Sequence, residues 1–373
     1  MLRFVALFSA LITVFLMLAT PAAAVYPSVS GECAYAYIPD IDQAVYEKNA
    51  KRRHPMASTT KIMTALVVLK NTNANDVVCI HTDAVGIEGS SIYLQADQKY
   101  TVSDLLYAVL LASANDAAAA LAIHTAGSIS AFADMMNAEA EALGLLDTHF
   151  TNPHGLADEG HYTTAADLAR IAAEAMEHDE FCRIVATKSK RISSLDGSIT
   201  HTLSNHNRLL RRYEDCVGVK TGFTKNSGRC LVSAAKRNGM LLIAVTLDAP
   251  NDWQDHETML NYGFSQYEAR TPEDGSRLSL SLPVVDGVED TVSLQADAPP
   301  AIIVKKDSEP LQLQVEINRF AVAPVKVGDI LGLLRYTQNG QTVATLPLRA
   351  AQSIEQIKHP KTFWDKIKSI WNG

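Results

Sequence analysis

Three short motifs occur in a fixed order along the chain and carry the residue types that nucleophilic catalysis needs. They are Ser58-Thr59-Thr60-Lys61, Ser113-Ala114-Asn115 and Lys220-Thr221-Gly222. Together they describe a serine nucleophile, a lysine that deprotonates it, a proton relay and a strand that docks a substrate carboxylate. Each motif is weak alone, since Ser233-Ala234-Ala235-Lys236 has the same S-x-x-K pattern in an apolar run typical of a strand.

The surroundings of Ser58 favour it as the nucleophile. Pro55 ends any regular secondary structure that precedes it, and the apolar run over residues 62–69 predicts a buried helix. Residues three apart share a helix face, so Ser58 and Lys61 are expected side by side near the positive end of the helix dipole. A lysine is a base only when neutral, which burial and a neighbouring cation such as Lys220 favour. The alternative is an ordinary helix start with Ser58 as the cap and Lys61 on the surface.

Length and composition predict a two-domain globular protein. The chain has 373 residues, of which 47% are hydrophobic and 20% charged. Lysine and arginine number 33 against 41 aspartate and glutamate, so the formal net charge is −8. This acidic balance argues against a nucleic-acid partner.

The N-terminus has the pattern of a secretory signal peptide. Arg3 gives a short basic start, residues 4–19 are apolar, and Pro21-Ala22-Ala23-Ala24 offers a cleavage site. We therefore predict that residues 1–24 are removed and that the mature protein lies outside the cytoplasm. A retained transmembrane helix is the alternative, although the stretch is short for one.

The chain contains an odd number of cysteines, which leaves at least one thiol unpaired and fixes no connectivity. We expect mostly small core residues, and one disulfide stays an open alternative. The five are Cys33, Cys79, Cys182, Cys216 and Cys230.

Strand patterns flank a long helical region. Residues 33–46 alternate like a strand pair, and helical patterns dominate from Ser58 to about Asp179, including a helix that Thr164 caps. A last helix is predicted over residues 259–267. Strand character returns over residues 217–222, 229–233 and 241–246. A sheet must therefore be assembled from distant parts of a catalytic domain that spans residues 25–270.

Residues 271–352 predict a small all-β domain. Leu311, Leu313, Val315 and Ile317 alternate with polar residues, and helical periodicity is absent. Asn339-Gly340 predicts a hairpin turn of the primed type. No catalytic constellation occurs in this segment.

Residues 353–373 predict an amphipathic helix that lies on a membrane surface. Large apolar residues recur there at helical spacing, with lysines beside or opposite them. Within residues 361–371, two tryptophans and three lysines suit the bilayer interface, whereas the segment is too short and too charged to span it. The alternative is a helix packed on its own β domain. The apolar residues are Phe363, Trp364, Ile367, Ile370 and Trp371.

Nearly the whole chain resembles the low-molecular-weight penicillin-binding proteins of the D-alanyl-D-alanine carboxypeptidase family. Residues 152–156, 161–165 and 205–210 resemble family segments, in addition to the three motifs. The resemblance implies an α/β (α+β) catalytic domain of penicillin-binding or β-lactamase type, with helices packed on an antiparallel sheet, followed by a small all-β domain.

The resemblance also implies a serine carboxypeptidase that removes the terminal D-alanine from peptidoglycan stem peptides through an acyl-enzyme, without metal or other cofactor. β-Lactam antibiotics would be covalent inhibitors, and the protein would be attached to the outer face of the cytoplasmic membrane. Ser58 would be the nucleophile and Lys61 its general base. Ser113 would relay the proton to the leaving amine, and Asn115 would bind the substrate amide.

The resemblance also implies that the third motif binds the substrate. Lys220 and Thr221 would hold the terminal carboxylate, while Gly222 would let the substrate backbone lie close to the strand. The backbone N–H groups of Ser58 and Phe223 would form the oxyanion hole. Some family members add a carboxylate-binding arginine about 30 residues beyond this motif, but residues 251–256 contain none.

Three other functions are weighed against this one. A class A β-lactamase needs a glutamate after the second motif, and residues 145–152 offer only Asp147. A penicillin sensor that acylates and stops would need a second membrane-spanning segment, and the sequence shows none. A zinc carboxypeptidase is poorly supported because no H-E-x-x-H occurs, so His154 and His161 are expected to be loop and capping residues.

Overall fold

The computed structural model describes residues 26–358. The predicted signal peptide, residues 1–24, lies outside this range. Of the predicted C-terminal helix, 353–373, only residues 353–358 are described, and they are not helical. The described chain forms two units, one ending at Gln266 and the other beginning at Tyr267. The boundary predicted after residue 270 falls at the end of the strand that opens the second unit. Among the described helices, none is both long and apolar enough to cross a bilayer.

The first unit is built on a five-stranded antiparallel sheet in the order β2-β1-β9-β8-β7, so β7 is an edge strand. Strands from both ends of the segment form it, which confirms the predicted antiparallel sheet. Two further pairs, β3-β4 and β5-β6, are two-stranded. The strands are β1 (Cys33–Ile38), β2 (Gln43–Lys48), β3 (Val77–Cys79), β4 (Lys99–Thr101), β5 (Ser189–Ser193), β6 (Thr200–Ser204), β7 (Cys216–Thr224), β8 (Gly228–Arg237) and β9 (Met240–Leu247).

The helices of the first unit lie mostly between β2 and β7 in sequence, as their patterns predict. Thr164 caps one of them, since its hydroxyl accepts a hydrogen bond from the backbone N–H of Asp167 at 3.0 Å. The helices are α1 (Lys61–Asn71), α2 (Val102–Leu111), α3 (Asn115–Ala126), α4 (Ile129–Ala142), α5 (Ala165–Met176), α6 (Asp179–Ala186), α7 (Leu209–Arg212) and α8 (Asp252–Gln266).

Helix α3 runs through the interior of the first unit. It is alanine-rich, and its residues from Asn115 to Ala122 are all buried. Small side chains let neighbouring helices approach closely on every side, so the helix needs no polar face. This packing carries Asn115 and Asp116, at its first turn, deep into the domain.

Helix α8 begins at Asp252, earlier than the predicted start at residue 259. The buried residues of its first turns, Asp252, Asp255 and His256, are polar, so this part does not show the apolar periodicity of a packed helix. Asp255 accepts hydrogen bonds from the backbone N–H groups of Ser30 and Gly31. His256 lies between the hydroxyl of Ser233, at 2.5 Å, and that of Thr246, at 3.0 Å. Ser233 is thus an ordinary buried residue of β8, as expected.

The second unit is all-β over its described residues apart from a 3-10 turn at Gly275–Arg277, which confirms the predicted class. It has a six-stranded sheet in the order β14-β16-β17-β12-β11-β15 and a two-stranded pair, β10-β13. Asn339 and Gly340 have φ values of 51° and 75°, as the predicted primed turn requires. The strands are β10 (Tyr267–Arg270), β11 (Leu280–Val285), β12 (Thr291–Gln295), β13 (Ile302–Lys305), β14 (Gln312–Ile317), β15 (Ala321–Val322), β16 (Ile330–Gln338) and β17 (Gln341–Ala350).

The cysteines differ from the expectation. All five fall within residues 26–358, and all are free thiols, so no disulfide links them. Cys33 and Cys230 are buried, but Cys182 and Cys216 are only partly covered and Cys79 is exposed. The prediction that most are core residues is therefore wrong, because spacing along the chain carries no information on burial.

Candidate active site

Ser58 lies in a 3-10 turn, Ala57–Thr60, that leads directly into α1. The regular helix therefore begins at Lys61, one turn later than the sequence suggests. The preceding residue, Ala57, has a left-handed φ of 47°. A loop glycine, Gly155, fits against it so closely that a Cβ there would lie 1.9 Å from the Ala57 carbonyl oxygen. The loop therefore holds the turn in this strained conformation.

Lys61 Nζ lies 3.0 Å from Ser58 Oγ, 2.7 Å from Asn115 Oδ1 and 2.5 Å from the His154 carbonyl oxygen. The last two oxygens are pure acceptors. A neutral amine has two N–H groups to donate to them, which leaves its lone pair for the Ser58 hydroxyl. This is the arrangement that a general base requires.

The electrostatics of Lys61 favour the neutral amine. Its side chain is completely buried, so the alternative of a surface lysine is wrong. Burial, and then the charge of Lys220, hold the pKa of Lys61 well below its ordinary value, against an opposing contribution from Asp116. Burial also lowers the pKa of Lys220, to about 7.

Asn115 holds the Lys61 amine in place. Its Oδ1 accepts from Lys61, and its Nδ2 donates to the Glu88 carbonyl oxygen at 2.5 Å. The residue is 4% exposed and does not line the cavity above Ser58. Both polar atoms of its amide group thus form internal hydrogen bonds, and the contact with the substrate amide stays a prediction.

Two residues of the third motif also face inward. Lys220 is 1% exposed, lies outside the cavity lining, and donates from Nζ to the Thr221 carbonyl oxygen at 2.9 Å. Gly222 packs against the nucleophile turn, since a Cβ there would lie 3.1 Å from the backbone nitrogens of Ser58 and Thr59. The Lys220 ammonium is therefore buried beneath the cavity and Gly222 is in close contact with the nucleophile turn, while their substrate-binding roles stay predictions.

A cavity of 540 Å³ opens above Ser58. Ser113 enters it with a left-handed φ of 61°, from the connection between α2 and α3. Thr221 and Phe223 enter it from β7, and Phe223 is 65% exposed. The cavity is lined by Ser58, Ser90, Ser113, Asn205, His206, Arg208, Arg211, Thr221, Gly222, Phe223, Arg229, Asp252 and Trp253. The structure thus brings Ser58, Ser113, Thr221, Gly222 and Phe223 together, and places Lys61, Asn115 and Lys220 beneath them.

Three features of the site lie outside the three catalytic motifs. The His154 carbonyl contacts Lys61, and His161 contacts Thr60 in the nucleophile turn. The side chains of His154 and His161 are 8% and 3% exposed, and burial is the main reason why their pKa values are lowered, to about 3 and about 4. The third feature is an Arg229–Asp252 ion pair at the cavity. An arginine and a carboxylate brought together from β8 and α8 leave no local signal in the sequence.

The structure argues against the β-lactamase alternative, which requires a carboxylate that acts as general base near Ser58. Asp147 is the acid that residues 145–152 offer in place of the β-lactamase glutamate. It pairs with Arg53 at the surface and does not line the cavity. Its carboxylate is half exposed, at 50%. A carboxylate so placed does not activate a water molecule at Ser58.

One group of potential metal ligands occurs in the described chain. The side chains of Glu32, His54 and Asp248 bring ligand atoms within 4.8 Å of one another. The Arg52 guanidinium already contacts the Glu32 carboxylate, which disfavours a further cation there. None of these residues lines the cavity above Ser58.

Comparison with known proteins covers both units. A family model described as D-alanyl-D-alanine carboxypeptidase matches residues 27–251. A second model, described as penicillin-binding protein 5, C-terminal domain, matches residues 271–356. The D-alanyl-D-alanine carboxypeptidase DacF of Bacillus subtilis is 31% identical over 88% of this chain and 88% of its own length.

Two solved structures have similar folds. Penicillin binding protein 5 from Haemophilus influenzae is 27% identical, covers 90% of this chain and 100% of its own, and has a TM-score of 0.67. The Streptomyces K15 DD-transpeptidase is 36% identical, covers 65% of this chain and 99% of its own, and has a TM-score of 0.61. At 90% of this chain, the first match extends over both units.

Proposed function

The chain belongs to the D-alanyl-D-alanine carboxypeptidase family, and from this premise we propose that Ser58 cleaves the terminal D-Ala-D-Ala bond of peptidoglycan stem peptides. The protein is a serine-type D-Ala-D-Ala carboxypeptidase that acts through an acyl-enzyme. The observation that carries the assignment of Ser58 is the 3.0 Å distance between its Oγ and Lys61 Nζ.

The proposed acylation follows from this geometry. Ser58 Oγ attacks the carbonyl carbon of the penultimate D-alanine while its proton passes to Lys61 Nζ. The backbone N–H groups of Ser58 and Phe223 stabilise the oxyanion. The terminal D-alanine leaves as its amine takes a proton that Ser113 relays from Lys61, and an ester remains on Ser58. Water then attacks the ester with Lys61 again as base, which releases the shortened peptide.

The buried residues support this base. Asn115 and the His154 carbonyl hold the Lys61 amine in place, and Lys220 lowers its pKa. The exposed edge of β7 offers backbone groups to an extended peptide, as in β-strand addition. Thr221 is proposed to donate its hydroxyl to the substrate.

β-Lactams are proposed to acylate the same serine, because ring opening forms the ester without releasing a leaving group. A fluorescent penicillin should label the wild-type protein and the Ser58→Ala variant should not be labelled. Ser233→Ala is the matched control, since Ser233 has the same S-x-x-K pattern but is buried in β8. Labelling that persists in Ser58→Ala overturns the assignment.

Product analysis separates this function from a sensor and from a β-lactamase. Mass spectrometry with diacetyl-L-Lys-D-Ala-D-Ala should show release of one D-alanine per peptide. A sensor would form the acyl-enzyme with penicillin and release none. A β-lactamase would turn over penicillin instead of the peptide.

Transfer to an amine is a second candidate outcome, because a solved relative is titled a DD-transpeptidase. The acyl-enzyme is the same, and an amine replaces water in the second step. Incorporation of isotope-labelled D-alanine into the unlabelled peptide would reveal it. Hydrolysis alone should yield no labelled peptide.

The protein is proposed to act outside the cytoplasm, at the outer face of the membrane. The support is the signal-peptide pattern of residues 1–24 and the amphipathic pattern near the C-terminus. Fractionation of cells that express the full chain tests this placement. Recovery in the cytoplasmic fraction contradicts it.

A further inference from the structure

The cavity above Ser58 is cationic although the whole chain is acidic. Arg208, Arg211 and Arg229 enter it, and Asp252 is the one carboxylate in its lining. The chain carries a formal charge of −8. Such a local excess of positive charge favours an anionic group on the ligand.

A substrate that ends in D-alanine carries a carboxylate, and no lysine of the described residues lines the cavity. Lys220 is buried below β7 and is engaged by the Thr221 carbonyl oxygen. Thr221 offers one hydroxyl, which carries no charge. The carboxylate therefore needs a cation among the arginines of the cavity.

Arg229 is the arginine that the structure holds in a fixed position. It stands opposite Phe223 in the pairing of β7 with β8, beside the strand that carries Thr221. Its Nη2 donates to both oxygens of Asp252, at 2.9 and 3.1 Å. Asp252 is buried, and the guanidinium also lies over the ring of Trp253, 5.9 Å from its centroid.

The guanidinium of Arg229 keeps unused donors. Its side chain is 43% exposed. Its Nε is buried and has no hydrogen-bond partner among residues 26–358, so the donors that face the cavity are those of the terminal nitrogens. Arginine presents its donors as a planar fork that matches a carboxylate. A guanidinium that is already oriented loses little conformational freedom when it binds.

We infer that Arg229, oriented by Asp252 and Trp253, binds the C-terminal carboxylate of the substrate, which deepens the proposed function and rests on it. Arg208 and Arg211 are both exposed at the cavity rim. Among the described residues, the Arg211 guanidinium forms one hydrogen bond, a long one of 3.4 Å to the Lys188 carbonyl oxygen. The rim arginines attract an anion at longer range, whereas Arg229 contacts it.

The test compares one peptide in two forms, with a free C-terminal carboxylate and with a carboxamide in its place. In the wild type, kcat/KM should favour the acid by about 10- to 100-fold, the range of a charge-assisted hydrogen bond. In Arg229→Gln, kcat/KM for the acid should fall by about the same factor, and the ratio of acid to amide should approach one. The ratio is measured on one protein, so partial unfolding does not change it.

Arg237→Gln is the matched control. Arg237 is at the other end of β8, is 41% exposed, pairs with Asp215 and lies over the ring of Phe264. Its replacement should leave the ratio at the wild-type value. Arg229→Lys should retain part of the preference, because it keeps the charge without the fork.

The outcomes separate this inference from the proposed function. A wild-type ratio of acid to amide in Arg229→Gln overturns the inference, as does a loss of the ratio in Arg208→Gln instead. Both results leave the serine mechanism intact when Ser58→Ala is inactive. Activity that survives in Ser58→Ala overturns the proposed function itself.

Discussion

His161 Nε2 lies 2.7 Å from Thr60 Oγ1, which joins a buried loop to the turn of the nucleophile. His161 Nδ1 accepts the backbone N–H of Thr151 at 3.1 Å, so Nε2 carries the proton and donates to Thr60. The Thr60 hydroxyl in turn donates to the Ala57 carbonyl oxygen at 2.8 Å. This carbonyl shares one planar peptide unit with the Ser58 N–H, a proposed oxyanion donor, and fixing one fixes the other.

Replacement of Thr60 by valine should weaken both stability and acylation. The change leaves the buried Nε2–H of His161 without an acceptor, which costs about 1–3 kcal/mol. It also frees the peptide unit that ends at the Ser58 N–H, so penicillin acylation should slow by about 10-fold or more. Thr60→Ser keeps the hydroxyl and should behave like the wild type. Equal acylation rates for the valine and serine variants would show that the hydrogen-bond chain does not position the turn.

The buried neutral histidines should make the protein less stable as the pH falls below neutral. Burial lowers the pKa of His256 to about 3, whereas an unfolded chain binds this proton near pH 6.5. Between these values the unfolded state binds more protons, so the stabilisation is complete above pH 6.5 and is lost on acidification. From pH 7 to 5 the loss should be about 2 kcal/mol for each such histidine.

Urea unfolding of the wild type and of His256→Asn at pH 7, 6 and 5 measures this loss. The variant should lose less stability than the wild type over the same interval, whatever its stability at pH 7. His154 and His161 should contribute in the same direction, because burial lowers their pKa values as well. A free energy of unfolding that is constant from pH 7 to 5 contradicts the prediction.

Lys61→Arg should remove the base while keeping a cation. Arginine does not deprotonate in proteins, so it cannot accept the Ser58 proton. The rate of labelling by a fluorescent penicillin should fall by about 10²-fold or more, the range typical of loss of a general base. Lys70→Arg is the control on the same helix, since Lys70 forms surface ion pairs with Glu139 and Glu174 that arginine can keep. Near-normal labelling of Lys61→Arg would mean that another group takes the proton.

The contact between Ser58 and Lys61 could be predicted from the sequence, because three residues of spacing within one turn determine it locally. The partners of Asn115 and Lys220 could not. Whether these side chains face the substrate or Lys61 depends on how deeply α3 and β7 are buried, and burial is a property of the assembled unit. The three motifs therefore predict which residues come together at the site, but not which of their polar atoms remain free to bind the substrate.

The ion pair of Arg229 and Asp252 shows a second limit. Arg229 lies in β8 and Asp252 in the first turn of α8. The start of α8 cannot be recognised from apolar periodicity, because its buried residues there are polar. The polar side chains of α8 are satisfied by distant groups, such as the backbone of Ser30 for Asp255. The carboxylate-binding arginine expected about 30 residues beyond the third motif is absent from residues 251–256, and we infer that Arg229 on the neighbouring strand β8 supplies the cation.

The segment from residue 359 to 373 should hold the enzyme to anionic membranes without contributing to the fold of the described chain. The final contacts of the second unit include the backbone hydrogen bond from Ile357 to Asp286, so a chain that ends at Lys358 keeps them. The truncated enzyme should retain wild-type kcat/KM and unfolding temperature, since the catalytic motifs end at Gly222. The full-length mature protein should float with anionic liposomes, because tryptophans favour the interface and lysines meet acidic headgroups. Replacement of Trp364 and Trp371 by glutamine in the full chain should reduce flotation without truncation. A helix packed on the β domain predicts the opposite pattern, with a lower unfolding temperature after truncation and no flotation of the intact protein.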